Sequence, residues 1–206
     1  MRIGGFHPLS LCDYPGRVAA VVFTQGCTMR CPFCHNGSLL PVHVPAQRLI
    51  PVEVVLDTLE KRKAFLSGVV VSGGEPTLHR GLPAFLAQLK RLGLAVKLDT
   101  NGSNPTLLRK LIADGLVDYI AMDVKAPWAK YSLLTGVSTD IERIRESMDL
   151  IAQSGLAHEF RTTFVPQLLT GQDLEAIRGL IPPGSPYRVQ RFIPQHALAP
   201  ALRSGH

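Results

Sequence analysis

A single α/β domain built on parallel strands is what this chain predicts, and three observations carry the expectation. Short apolar runs alternate along the sequence with segments of helical spacing. The runs are apolar throughout rather than every second residue, as in strands covered on both faces of a parallel sheet. Neither an internal repeat nor a composition break divides the 206 residues, which suffice for one core.

The elements follow in order. Residues 18–24 (VAAVVFT) read as the first buried strand. Pro51 opens a helix over 52–65, with Val55, Leu59 and Leu66 at helical spacing. Residues 68–72 (GVVVS) form the second strand, 82–92 a helix and 95–99 the third strand. Asn104 is an N-cap with Pro105 at the first helical position, starting a helix to Ala113. Residues 117–124 are the fourth strand. Thr139-x-x-Glu142 reads as a capping box for a helix that stops at Gly155. A fifth strand over 158–165, a helix over 172–180 and a sixth strand over 187–193 complete the pattern, with a core over about 13–196 and a short tail at 197–206.

Six strands are too few for a closed eight-stranded barrel and fit either an open barrel or a doubly wound sheet. Both place the functional groups at the C-terminal ends of the strands. The polar residues obey that rule. Cys27 follows the first strand, Gly73-Gly74-Glu75 the second, and Asp99-Thr100 closes the third. Asp123 and Lys125 close the fourth, Arg161 lies in the fifth and His196 follows the sixth.

Composition excludes several classes. The net charge of +6 is spread out, and Lys61-Arg62-Lys63 reads as the solvated end of a helix, so no basic stripe for nucleic acid is present. No apolar run approaches the ~18 residues that span a bilayer, and no charged-then-apolar leader opens the chain. A cytoplasmic location is the expectation, and there clustered cysteines bind metals or catalyse rather than form disulfides.

Three of the four cysteines stand within GCTMRCPFCHNG, at Cys27, Cys31 and Cys34. A structural zinc site needs four tetrahedral ligands. His35 abuts Cys34 too closely for both to chelate comfortably, and Cys12 lies beyond a strand. A disulfide with one leftover thiol conflicts with the compartment. An iron–sulfur cluster held by three thiolates leaves one iron open to an exogenous ligand. After Cys34 the chain has no cysteine for a second cluster.

The C-x3-C-x2-C spacing with aromatic Phe33 before the third cysteine, together with SGGEP at 72–76, resembles the radical S-adenosylmethionine (SAM) enzymes. CDYPGRVAAVVFTQGCTMRCPFCHN, VSGGEPTL, LDTNG and MDVKAP extend the likeness to the glycyl-radical activating enzymes. Within them the chain is similar to activators of anaerobic ribonucleoside-triphosphate reductases, with the pyruvate formate-lyase activating enzymes a nearby relative. The resemblance implies an open partial (β/α)6 TIM-like barrel of parallel strands. It also implies a [4Fe-4S] cluster on Cys27, Cys31 and Cys34, whose open iron takes the amino and carboxylate groups of SAM. One electron then cleaves a carbon–sulfur bond to give a 5′-deoxyadenosyl radical, which makes a glycyl radical on a partner protein. A flavodoxin- or ferredoxin-type donor supplies the electron.

The same resemblance assigns roles. Phe33, His35 and Asn36 border the cofactor. Gly73 and Gly74 either make a strand-to-helix turn or let the backbone approach the methionine end, and Glu75 holds the α-ammonium. Asp99, Thr100 and Asp123 match residues that surround a monovalent cation in the pyruvate formate-lyase relative, unless Lys125 neutralises one carboxylate instead and touches the cofactor. Arg161 makes either a cofactor-carboxylate contact or a structural ion pair, and His196 in FIPQHAL either reaches the cofactor, as the matching histidine does in the relatives, or is simply exposed near the C-terminus. Asp13 in the DYPG turn serves substrate docking, Trp128 packs a lid, and Cys12 is a small core or loop residue. A small-molecule radical enzyme of the 7-carboxy-7-deazaguanine synthase type is the alternative reading.

Overall fold

The computed structural model describes residues 1–203; the end of the expected tail, 204–206, lies outside the described residues. In chain order the regular elements are β1 (Ile3–Ser10), β2 (Ala19–Thr24), α1 (Val52–Arg62), β3 (Gly68–Gly73), α2 (Leu82–Arg91), β4 (Ala95–Thr100) and α3 (Pro105–Ala113). They continue with β5 (Tyr119–Asp123), α4 (Tyr131–Thr135), α5 (Ile141–Gln153), β6 (Ala157–Phe164), α6 (Gly171–Arg178) and β7 (Tyr187–Arg191).

The strand order runs from β1 to β7 without reversal. Strands β2 to β7 are parallel, and β1 pairs antiparallel with β2. That order decides between the two topologies left open by the strand count. A doubly wound sheet must reverse direction at some strand, whereas right-handed crossovers that always add the next strand on the same side put every helix on one face. The sheet curls around its other face as an open (β/α)6 barrel, with β1 and β7 as its free edges.

Strand alternation separates two kinds of interior. Ala20, Val22, Val69, Val71, Val96, Leu98, Ile120 and Met122 point outward into one cluster with Val55, Leu59, Leu86, Leu89, Leu108, Leu111 and Ile151 of the helices. Each such aliphatic side chain taken out of water is worth about 1.5–3 kcal/mol. Tyr14, Ala19, Val21 and Val70, with Phe23, Ala95 and Tyr119 against them, fill the floor of the concave face. Further along the same inward parity the residues become polar, at Ser72, Lys97, Asp99, Asp123, Arg161 and Thr163.

The helices form where amphipathic spacing and caps agree. Buried Leu82, Phe85, Leu86 and Leu89 make one stripe of α2. The Asn104 side chain accepts from Leu107 N as expected, with Pro105 next in α3. At α5 the expected capping box is corrected. Asp140 is the N-cap, accepting from Glu142 N and Arg143 N, while the Thr139 hydroxyl bonds Thr135 and Val137. The box that does form joins Thr170 and Asp173 at α6.

The expected count of six strands is also corrected, to seven. In IGGFHPLS a glycine pair and Pro8 mask β1, which pairs with β2 through two irregularities. Proline is tolerated there because β1 is an edge, and β1 covers the flank that β2 would otherwise expose. Among the described residues no helix is long and apolar enough to cross a membrane.

Candidate functional site

A cavity of about 390 Å³ opens at the C-terminal ends of the parallel strands. Into it converge Cys27, Cys31, Phe33, Cys34, His35 and Asn36 from the segment after β2. Gly73, Gly74 and Glu75 border it from the end of β3, and Asp99 and Thr100 from β4. Asp123 and Lys125 reach it from β5, and Arg161 from β6. Asp13 and Gln190 mark its extent toward the two free edges of the barrel.

The cysteine segment is fixed by its own backbone. Gly26 N and Cys27 N donate to Leu39 O and Leu40 O at 2.7 and 3.2 Å, tying the segment down at one end. Cys34 N donates to Cys31 O at 3.0 Å, closing a turn between the second and third cysteines. Arg30 Nη1 donates to Cys27 O at 2.9 Å and Met29 O at 2.8 Å, crossing the bend. Met29 N donates to the Cys27 sulfur at 3.4 Å, and Asn101 Nδ2 approaches it at 3.9 Å.

All four cysteines are free thiols, and Cys27 and Cys31 are buried. Burial pushes the Cys27 thiol up to about 11 and the Cys31 thiol upward as well. Both are therefore protonated at neutral pH until a metal displaces the protons. No three His, Cys, Asp or Glu side chains among the described residues converge as they would on one metal ion. Three thiols spaced around a cavity, with N–H donors aimed at a sulfur, fit a cluster several ångströms across. Cys12 is exposed in the segment after β1 and does not line this cavity.

The protein itself requires the glycine pair. A Cβ on Gly73, whose φ is +114°, would meet Thr24 N at 2.3 Å, and one on Gly74 would meet Gly26 O at 2.1 Å. The Gly74 and Glu75 amides donate to Thr24 O and Gly26 O at 2.9 and 2.8 Å, extending the β2–β3 pairing past the strands. Both glycines also line the cavity, where they leave backbone rather than side chain facing it. Asn36 Nδ2 donates to Gly73 O at 3.4 Å and ties the cysteine segment to the same turn.

Glu75 continues the same turn. Its side chain is buried, and Oε1 accepts from Thr77 N, Thr77 Oγ1 and Thr100 Oγ1, while Oε2 accepts from Asn101 N. Burial pushes its pKa up against these four hydrogen bonds. The carboxylate joins the β3 turn to the end of β4.

The acids at the strand ends have partners in the chain. Arg161 Nε donates to Asp123 Oδ1 at 3.0 Å, and its Nη1 stands 3.5 Å from Asp99 Oδ2. Lys125 Nζ is 2.9 Å from Asp123 Oδ2, and Lys97 Nζ is 2.5 Å from Asp99 Oδ1. Ser72 Oγ adds a hydrogen bond to Asp99 Oδ2 at 3.1 Å. Burial raises the Asp123 pKa, but the charges of Arg161 and Lys125 outweigh it and hold the carboxyl well below its usual range. The monovalent cation does not fit this arrangement. Guanidinium and ammonium groups take the carboxylate oxygens, and the Thr100 hydroxyl donates to Glu75.

His196 is exposed and does not line the cavity; its ring lies 6.2 Å from that of His35, which stacks on Phe192. Trp128 packs against Tyr131 beneath Arg145, off the cavity wall. The sequence reading missed Ser72, Lys97, Asn101, Thr163 and Gln190. The signal for Lys97 and Ser72 is parity, because each shares the inward face of its strand with the acids or directly neighbours them.

The model of the Radical SAM superfamily matches residues 21–181, from β2 through α6. The chain belongs to that superfamily. A Methanocaldococcus jannaschii protein named as a glycyl-radical enzyme activating enzyme is 36% identical over 200 residues, 95% of this chain and 81% of that protein. A pyruvate formate-lyase-activating enzyme of Staphylococcus aureus is 37% identical over 97 residues, 45% of this chain and 38% of its own length. Among solved structures, Streptococcus suis SuiB bound to its precursor peptide SuiA aligns at TM-score 0.68 and 13% identity, over 87% of this chain and 40% of that one. The radical SAM chain thus shares the fold of part of a protein about twice its length. The cofactors of the superfamily are a [4Fe-4S] cluster and SAM, and SuiB has also been solved with SAM bound.

Proposed function

We propose that this radical SAM chain activates a glycyl-radical enzyme, most specifically an anaerobic ribonucleoside-triphosphate reductase. The observation that carries the reading is the unclosed flank of the barrel. The cavity extends from the cysteine segment to Asp13 on one free edge and Gln190 on the other, so an extended segment of a partner protein can enter from the side. The full-length similarity to a protein named as a glycyl-radical enzyme activating enzyme supports the same class.

When bound, a reduced cluster would supply one electron to SAM, whose sulfur–C5′ bond would break to leave methionine and a 5′-deoxyadenosyl radical able to take a hydrogen atom from a glycine α-carbon. The chain's residues prepare that chemistry. Cys27, Cys31 and Cys34 would hold three irons of the cluster and leave the fourth for SAM. Phe33 and Met29, buried at 4% and 2% exposure, keep water from the cluster side. Asn36, the Gly73–Gly74 turn and Thr100 shape the wall where the methionine moiety lies. Lys125 and Arg161 present positive charge to its carboxylate. His35 borders the open side, where a flavodoxin- or ferredoxin-type donor delivers the electron. Asp13 meets the incoming partner segment.

Anaerobic reconstitution with iron and sulfide, followed by SAM turnover with and without the partner reductase, tests the reading. About four irons per chain are expected, with 5′-deoxyadenosine formed and a glycyl radical signal on the partner by electron paramagnetic resonance. Turnover of SAM that never yields a protein radical would move the assignment to a small-molecule substrate.

A further inference from the structure

We propose that this chain supplies its own cation to the SAM pocket: the Lys97 ammonium and the Arg161 guanidinium replace a bound monovalent metal ion between Asp99 and Asp123. Lys97 thereby becomes a positioning residue for the pocket, and SAM binding becomes independent of sodium or potassium. The inference rests on superfamily membership alone and stands whether or not the partner is a ribonucleotide reductase.

Two carboxylates side by side on adjacent parallel strands repel unless a cation or proton lies between them. Asp99 stands one residue before the end of β4 and Asp123 ends β5, both on the inward face. Arg161 stands directly opposite Asp123 in the β5–β6 register. From there its planar fork spans to both acids, at 3.0 Å to Asp123 and 3.5 Å to Asp99, a task for which a guanidinium is better shaped than an ammonium. An alkali ion between the same oxygens would have to displace it.

Lys97 completes the arrangement from below. It lies two residues before Asp99 on the same strand, so alternation turns both side chains into the barrel. Its side chain is only 2% exposed, and an ammonium removed from water to that degree needs a charged partner. Asp99 Oδ1 provides it at 2.5 Å, while the Tyr119 ring lies 5.9 Å from Nζ. Tyr119 rests in turn on Tyr14, at 5.9 Å between ring centroids, so the ammonium is seated on an aromatic floor.

The resulting chain runs Lys97, Asp99, Arg161, Asp123, Lys125 and crosses three strands. Every carboxylate oxygen in it has a cationic partner from the chain. Three cations face two acids, and the surplus positive charge ends at Lys125, whose field reaches Cys31. Nearby Glu159 does not compete, because Arg188 holds it at 3.5 Å. Asp99 is therefore fixed by Lys97 from one side and by Ser72 and Arg161 from the other. Its placement in turn sets the guanidinium that faces the cavity.

The test compares SAM affinity of the anaerobically reconstituted protein, by calorimetry, in sodium, potassium and tetramethylammonium buffers of equal ionic strength. The same affinity within about twofold is expected in all three; a wild type that binds SAM more than about fivefold weaker without an alkali ion overturns the proposal. Lys97→Met gives a second reading. Its SAM affinity is expected to fall about tenfold in tetramethylammonium and to recover on addition of sodium or potassium, since Asp99 then has room for an ion. Lys97→Arg is expected to restore cation-independent binding. A Lys97→Met protein with wild-type affinity in all buffers, or a loss that neither ion nor Arg repairs, counts against the assignment. Should Lys97→Met fail to fold, the wild-type series still decides. None of these readouts uses a glycyl-radical partner.

Discussion

The Cβ that Gly74 lacks would stand 2.1 Å from the carbonyl oxygen of Gly26. Because the adjoining amides also bond Thr24 and Gly26, the β3 turn and the start of the cysteine segment are one rigid unit. Gly74→Ala is expected to push them apart, lowering stability by about 1–3 kcal/mol in urea unfolding and weakening cluster retention with it. Gly171→Ala, with no atom within 4 Å of its added Cβ, is the control and is expected to be neutral or stabilising by up to about 1 kcal/mol.

Glu75 accepts four hydrogen bonds, and Gln would turn one accepting oxygen into a donor facing another donor. Glu75→Gln is expected to cost about 1–3 kcal/mol of stability. If Glu75 served mainly as a ligand for SAM, stability would stay at the wild-type value and only SAM affinity would change.

The three cavity cysteines and the exposed Cys12 make opposite predictions. Iron content and visible absorbance after anaerobic reconstitution are expected to collapse in Cys31→Ala and to match wild type in Cys12→Ala. Loss of iron in the Cys12 variant would revise the ligand set.

His79 sets a pH dependence apart from the cavity. Burial first, then the charges of Arg2 and the N-terminal amine, push its pKa from 6.5 down to about 4. Its Nε2 has no hydrogen-bond partner among the described residues. Between those values the unfolded chain binds a proton that the folded one refuses, so stability falls as pH drops from about 6.5 to about 4. Urea midpoints across that window are expected to show the slope, and His79→Leu to reduce it. A wild-type midpoint that stays level through the window would refute this origin.

Much of this was legible before any fold was seen. Apolar runs such as VAAVVFT and GVVVS can hardly be anything but covered strands, and the residues after them necessarily lie along one edge of a parallel sheet. Local capping was less legible, because Thr139, Asp140, Thr170 and Asp173 all offer oxygens, and the neighbouring hydroxyls decide which of them faces the helix amides. β1 was hidden because Gly4, Gly5 and Pro8 argue for a turn, and only the uncovered edge of β2 makes a strand of them.

The chain's order of residues determined the parallel α/β pattern, the three thiols on one segment and the row of polar groups at the strand ends. Those are consequences of short-range periodicity and spacing. Tertiary structure alone decided what each charge touches. Register brings Arg161 across from Asp123, parity turns Lys97 beneath Asp99, and the Gly74 turn closes on Gly26. Such contacts join residues from different strands, and a lysine read along its own strand gives no sign of whether it meets water or a buried acid.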